Sequence, residues 1–275
     1  MKPGRTLAAR PVSDLVWPLG CPQRLIGARV GDMAPGDHLI VRPSGRLWLP
    51  GALAGIAARK SLLITEPEAR HGRHMRRARR AHRRFHRVLS SNAALLDAIP
   101  NGLFFPAGST RLADGAALDL TKTRMLSLIA PPQRELEGHA LRHRCAEWLG
   151  NIGSDADVMG HGYRPLARKA DGLACYRFSL VIEPVREPGY FSEQLVDALL
   201  CKTVPIYWGA PDIADHFDPA GLLVCDSFDD IKVAVARLIP GDYVERAEAI
   251  ERNRALAADY ADVEGRVARA IAETL

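Results

Sequence analysis

Along the second half of this chain, apolar residues fall into short continuous runs separated by turn chemistry, the pattern of strands buried on both faces. Arg124–Ala130, Asp157–Met159, Phe178–Glu183, Val204–Trp208 and Leu222–Cys225 read as five such strands. Between them, His139–Leu149, Leu195–Leu200 and Phe228–Leu238 place apolar residues at the spacing of helices with one buried face. Residues 184–189 (PVREPG) break any regular element, and Ser192 is suited to cap the helix that follows. The stretch 176–219 is therefore one strand–loop–helix–strand–loop unit. A crossover of this kind places its ligand end beyond the carboxyl ends of the strands, where residues 184–194 lie.

The first half is patterned more loosely. Residues 37–41 (DHLIV) and 61–65 (SLLIT) read as strands, and Leu53–Ala58 as a short helix. Residues 1–36 are rich in Pro, Gly and Arg and give no clear element. Asp114–Asp119 is the best boundary. The expectation is an α/β protein with an N-terminal domain over 1–118 and a C-terminal domain over 119–240 carrying a mostly parallel sheet. Helices over 241–275 are expected to pack back toward the N-terminal domain.

Composition changes this picture little. With 275 residues, 47% hydrophobic and 25% charged, the chain is an ordinary globular one. No window has the length and apolarity of a membrane span, and the N-terminus lacks the apolar core of a secretory signal. The five cysteines are scattered and never paired as CxxC. They favour small buried hydrophobes in a reducing, cytoplasmic setting over a zinc site or a disulfide framework. No metal site is expected.

Charge adds one feature. The formal net charge is +5, and residues 70–87 contain nine arginines, four histidines and no acid. Like charges at i,i+4 weaken a free helix, so anions, tertiary packing or disorder must offset them. A solvated basic face or loop is the plain reading. Binding of nucleic acid, or peripheral contact with an anionic membrane at its inner face, is the sharp reading, and attraction of an anionic substrate lies between the two. Of nucleic acid and membrane, nucleic acid is the less expected partner.

The candidate chemistry gathers at the helix start Ser192–Glu193–Gln194. Unpaired N–H groups and the positive dipole end suit a phosphate or diphosphate. Glu193 can accept hydrogen bonds from a vicinal diol, Tyr190 can stack or hydrogen-bond, and Arg142 can neutralise phosphate. An ordinary capped helix with an acid in its first turn is the competing reading. Glu66 ends the 61–65 strand and is placed either to face a cleft or to sit in a solvated loop.

These segments resemble glycosyltransferase family ten, the α-1,3/1,4-fucosyltransferases. The resemblance runs through VIEP at 181–184, GYFSEQ at 189–194, LVDALL at 195–200 and VPIYWGAPDIADHFDP at 204–219. Upstream it continues through 122–130, 137–149 and 157–166, and more loosely through 64–67 and 101–110. It implies a GT-B architecture, two Rossmann-like domains facing across a cleft. It also implies inverting transfer of fucose from GDP-fucose, as co-substrate, to a glycan or glycolipid acceptor, with no cofactor and no obligatory metal. By motif, Arg142 would hold phosphate, Glu193 the ribose or sugar hydroxyls, and Tyr190 the donor. Ser192 and Gln194 would complete the helix tip, and Glu183 would lie beneath the sugar.

There are departures. Gln194 stands in place of the family's lysine, a charge that Arg186 or the arginines of 70–87 would have to replace. Pro184 stands in place of an asparagine. The segment matching the family's catalytic carboxylate (VLSSNAAL, 88–95) has no acid, which leaves Glu66 as the candidate base. Transfer from another nucleotide sugar, or a non-catalytic protein binding an anionic partner through 70–87, are the alternatives.

Overall fold

The computed structural model describes residues 7–112 and 118–275. They form two compact units, one of Met1–Pro106 with Val263–Leu275 and one of Ala107–Asp262.

The first unit is built on four parallel strands, β1 (His38–Val41), β2 (Arg59–Leu63), β3 (Val88–Ser90) and β4 (Gly102–Phe104), in that order across the sheet. Helix α1 (Glu68–Ala81) connects β2 to β3, and α2 (Ala93–Leu96) connects β3 to β4. The arginine run is thus largely helical. It buries Gly72, Met75 and Ala78, a stripe of period three to four that packs into the core with Phe85 and Leu62. Tertiary packing therefore offsets the like-charge cost. Residues 53–58 are not the expected helix. Gly51 and Gly55 take φ of 75° and 73°, and the segment is a series of turns.

The second unit carries β5 (Arg124–Ile129), β6 (Asp157–Met159), β7 (Tyr176–Ile182), β8 (Val204–Trp208) and β9 (Leu223–Val224). All run parallel in the order β6-β5-β7-β8-β9. From β5 the chain first builds outward to β6, then crosses to the other side as β7. The order reverses between β5 and β7, which makes the carboxyl ends of these two strands the switch point where such sheets bind ligands. Helices α3 (Glu137–Asn151) and α4 (Glu193–Leu200) follow β5 and β7 and begin at that end. Hydrophobic cores cover both faces, one around Leu128, Phe178 and Ile206, the other around Val181, Leu195 and Tyr207.

The expected boundary at 118 adjoins residues 113–117, which lie outside the described residues. The tail divides differently from the expected 241–275 block. Helices α5 (Phe228–Ala236), α6 (Pro240–Glu245) and α7 (Ala247–Ala261) stay with the second unit, where Ile250 and Ala257 enter its cores. Helix α8 (Val263–Ala272) belongs to the first unit and packs Val263, Val267 and Ile271 against Leu63, Leu89 and Phe105. Among the described residues, no helix is long and apolar enough to cross a membrane.

Candidate donor site at the switch point

The site is built from the end of β7. Glu183 follows its last residue and donates its N–H to the carbonyl of Trp208 in β8 (2.8 Å), so the ladder continues one residue past the strand. The side chain is fully buried. Its Oε1 accepts the N–H of Ser192 at 3.0 Å, and its Oε2 has no hydrogen-bond partner among the described residues. Burial pushes the carboxyl up to about 7, aided by the charge of Glu193 and opposed by the Ser192 hydrogen bonds and by Arg142. The same low-dielectric surroundings and the Glu183 charge raise the Tyr207 phenol well above its ordinary value.

Close approach of α3 seals this corner. A Cβ on Gly138 would lie 1.7 Å from the carbonyl oxygen of Glu183, so only glycine allows the helix to start here. The Gly138 N–H bonds to the carbonyl of Pro184 at 3.0 Å. A proline at 184 thus still supplies the acceptor that this junction uses.

The tip of α4 rises from this floor. Ser192 is its N-cap, accepting the N–H of Gln194 at 3.2 Å. Glu193 and Gln194 are half-buried beside it. Two cations converge on Glu193 that sequence reading missed. Arg111 Nε lies 3.1 Å and Lys169 Nζ 3.9 Å from its Oε1. Lys169 also donates to the Glu193 carbonyl (3.3 Å) and pairs with the fully buried Asp197 at 2.7 Å. Asp197 in turn accepts from Thr110 Oγ1 at 2.5 Å and from the Arg111 N–H at 3.1 Å. Arg111 and Thr110 are fixed to α4 by this one carboxylate. The buried acid at position five of an apolar helix was the available signal. A charge inside such a face requires a partner from another segment.

The remaining predicted residues are placed less openly. Tyr190 is buried, and the preceding Gly189 N–H is held by both carboxylate oxygens of Asp212 at 2.9 Å. Arg142, which the resemblance casts as a phosphate ligand, is buried. It is 1% exposed and donates to the carbonyl of Ile182. It lies in the second turn of α3 and so points beneath the strand ends, where it acts on the Glu183 charge. Arg186 is engaged by Asp226, donating to its carboxylate and to its carbonyl, and lies 6.0 Å from the Trp208 ring.

Glu66 belongs to the first unit. It follows β2, is part-exposed, and pairs with Arg70 in the first turn of α1 at 3.1 Å. Beside it, His71 has an imidazole that burial holds below its ordinary value, with a buried Nδ1 lacking a hydrogen-bond partner among the described residues. Ser90 and Asn92, at the end of β3, are spent on local structure. Ser90 Oγ accepts the Asn92 N–H, and Asn92 caps α2.

No protein-family model matches the chain. Over 83 residues it is 31% identical to the α-(1,3)-fucosyltransferase FucT of Helicobacter pylori. That match covers 30% of this chain and 17% of the curated relative, so most of that protein has no counterpart in the alignment. Among solved structures, TarM superposes with a TM-score of 0.53 at 13% identity, over 86% of this chain and 54% of TarM. A crystal structure of an α1,3-fucosyltransferase with GDP gives a TM-score of 0.49 at 16% identity, over 76% of this chain and 68% of that one. The fold is α/β of the GT-B type, and in sequence the chain resembles the α-1,3-fucosyltransferases of glycosyltransferase family ten.

Proposed function

We propose that the chain is a glycosyltransferase that moves a sugar from a nucleotide diphosphate donor, with fucose from GDP-fucose the best-supported case, onto a hydroxyl of a glycan acceptor. The observation that carries this reading is the α4 tip at the switch point, with two cations beside it, in a chain similar in sequence to a fucosyltransferase. The α4 N-terminus offers N–H groups and positive potential to a diphosphate. Lys169 and Arg111 supply the charge that Gln194 lacks, and Glu193, held between them, is left to orient hydroxyl groups. Glu183 and Arg142 act from below as the floor that fixes Ser192.

The reaction is a displacement at the anomeric carbon. The acceptor oxygen forms the new glycosidic bond as the bond to the diphosphate oxygen breaks, and configuration inverts. The acceptor proton passes to a carboxylate base, a role we assign to Glu66. The departing diphosphate takes the electron pair and is stabilised by Lys169, Arg111 and the α4 N–H groups.

Thermal melting tests the donor site. GDP or GDP-fucose raises the melting temperature, and Glu193→Ala abolishes the rise. Absence of a shift with any nucleotide sugar removes the donor-site reading. Pro184 and Gln194 favour one second reading, the same fold with a different nucleotide sugar, and a donor panel in the same assay separates the two.

A further inference from the structure

The first unit contains a large apolar groove that the donor reading does not use. It encloses about 1610 Å³ between the loops of residues 7–52 and helix α8. That is beyond the roughly 300–1,000 Å³ of pockets for compact small molecules. Leu15, Trp17, Leu19, Leu49, Ala268 and Leu275 line it. Leu19 is 62%, Leu49 56% and Leu275 61% exposed, so the lip presents apolar side chains to water.

The unpaired charge in the groove's lining is positive. Its acids are already neutralised, Asp14 by Arg10 at 3.5 Å and Glu264 by Arg42 at 2.7 Å. Arg46, also in the lining, is exposed and forms no ion pair among the described residues. The Arg46–Trp48 turn is fastened to α1 and the segment after it. Trp48 Nε1 donates to His74 at 2.8 Å, and Arg84 donates to the Leu47 carbonyl at 3.3 Å. This ties the basic helix to the turn that carries Arg46. Arg73, Arg76, Arg77, Arg79, Arg80 and Arg83 are exposed, and none forms an ion pair among the described residues. An apolar channel with one unpaired guanidinium, that of Arg46, in its lining matches one kind of occupant, a hydrocarbon chain ending in an anion.

We propose that this groove binds the chain of an anionic amphiphile, a long-chain lipid phosphate, with Arg46 meeting the phosphate. That this lipid is the carrier of the acceptor glycan rests on the transferase reading. The binding itself does not, and it is measured without nucleotide or sugar.

The probe is dodecyl phosphate brominated at its far end, whose bromine quenches tryptophan fluorescence on contact. Calorimetry with unbrominated dodecyl phosphate gives the affinity. The expected result is saturable quenching that Trp17→Phe largely removes. Dodecanol and inorganic phosphate should each bind at least about tenfold more weakly, since each lacks one half of the contact. Leu19→Gln with Leu49→Gln, both at exposed positions and so compatible with folding, should weaken dodecyl phosphate about tenfold. Inorganic phosphate binding as tightly as dodecyl phosphate, or quenching that survives Trp17→Phe, overturns the proposal. So does a concentration-dependent dimer that the double variant returns to monomer without any dodecyl phosphate binding, which would make the groove an interface between copies. A normal GDP shift alongside absent lipid binding leaves the donor reading standing and removes only this one.

Discussion

Glu183 shows how a single residue can be conspicuous in a sequence while its electrostatic environment is not legible there. Its position at the end of a buried strand was readable, but its environment was not, because burial is set by Gly138, Tyr207 and the α4 tip closing over it. The consequence is measurable. The folded carboxyl titrates at about 7 and the unfolded one near 4.5, so the folded state holds a proton that the unfolded state has lost between those values. Stability from this group is complete below about 4.5, declines as pH rises through 7, and is flat above that. Urea unfolding of the native chain should therefore lose a few kcal/mol, relative to Glu183→Gln, between pH 4.5 and pH 8. Parallel curves for the two proteins would mean that the carboxylate is solvated after all. Arg111 is the complementary case. It lies in an unpatterned loop, so no periodicity marks it, and only its bond to buried Asp197 brings it to the site. Its side chain is 73% exposed, so Arg111→Ala should leave the melting temperature of the free protein within about a degree while weakening GDP binding roughly tenfold, the worth of one charge-assisted contact. Unchanged affinity by titration calorimetry would take Arg111 out of the diphosphate site.

At the scale of elements, legibility followed burial. The central strands of the second unit, β5, β7 and β8, are short, mainly apolar runs because both faces of the sheet are covered there, and all five strands lie close to where the pattern predicts. The first unit was harder. Helix α1 is paved with arginine, and its buried stripe is only Gly72, Met75 and Ala78. Its apolar signal is therefore drowned by charge that propensity alone would have allowed in a helix. The short helix expected over Leu53–Ala58 is absent because its alanines and leucine read as helix formers, while Gly55 at positive φ, and Gly51 just before the segment, decide the backbone. Helix α3 offers a test of what holds an element in place. Gly138 and Gly150 both lie in it, one against the Glu183 carbonyl and the other with nothing within 4 Å of an added Cβ. Gly138→Ala should cost about 3 kcal/mol or more by forcing α3 off β7, whereas Gly150→Ala should be neutral or stabilise by up to about 1 kcal/mol. Chemical denaturation of both variants decides. Equal effects would mean that α3 is not pinned at its N-terminus.

For the whole molecule, charge and chain path describe the same division. The unit of residues 1–106 and 263–275 carries 20 Lys and Arg against 8 Asp and Glu, while 107–262 carries 17 against 24. The modest +5 of the chain hides a basic unit joined to an acidic one, and a property averaged over the sequence could not reveal it. The path is equally hidden. A tail that reads as one helical block gives α7 to one core and α8 to another, and only Val263, Val267 and Ile271, spaced four apart, foretell a separate buried face. Because α8 completes the core that contains Leu63, Leu89 and Phe105, damage there should be felt by its own unit first. Val267 is fully buried, and Val267→Asp places an unpartnered carboxylate in that core at a cost of several kcal/mol. Hydrogen exchange of this variant should show β1–β4 opening while β5–β9 stay protected, and GDP should still raise the melting temperature of the remaining transition. Loss of protection in both sheets together would mean that the two cores fold as one cooperative body, and that the donor site depends on α8.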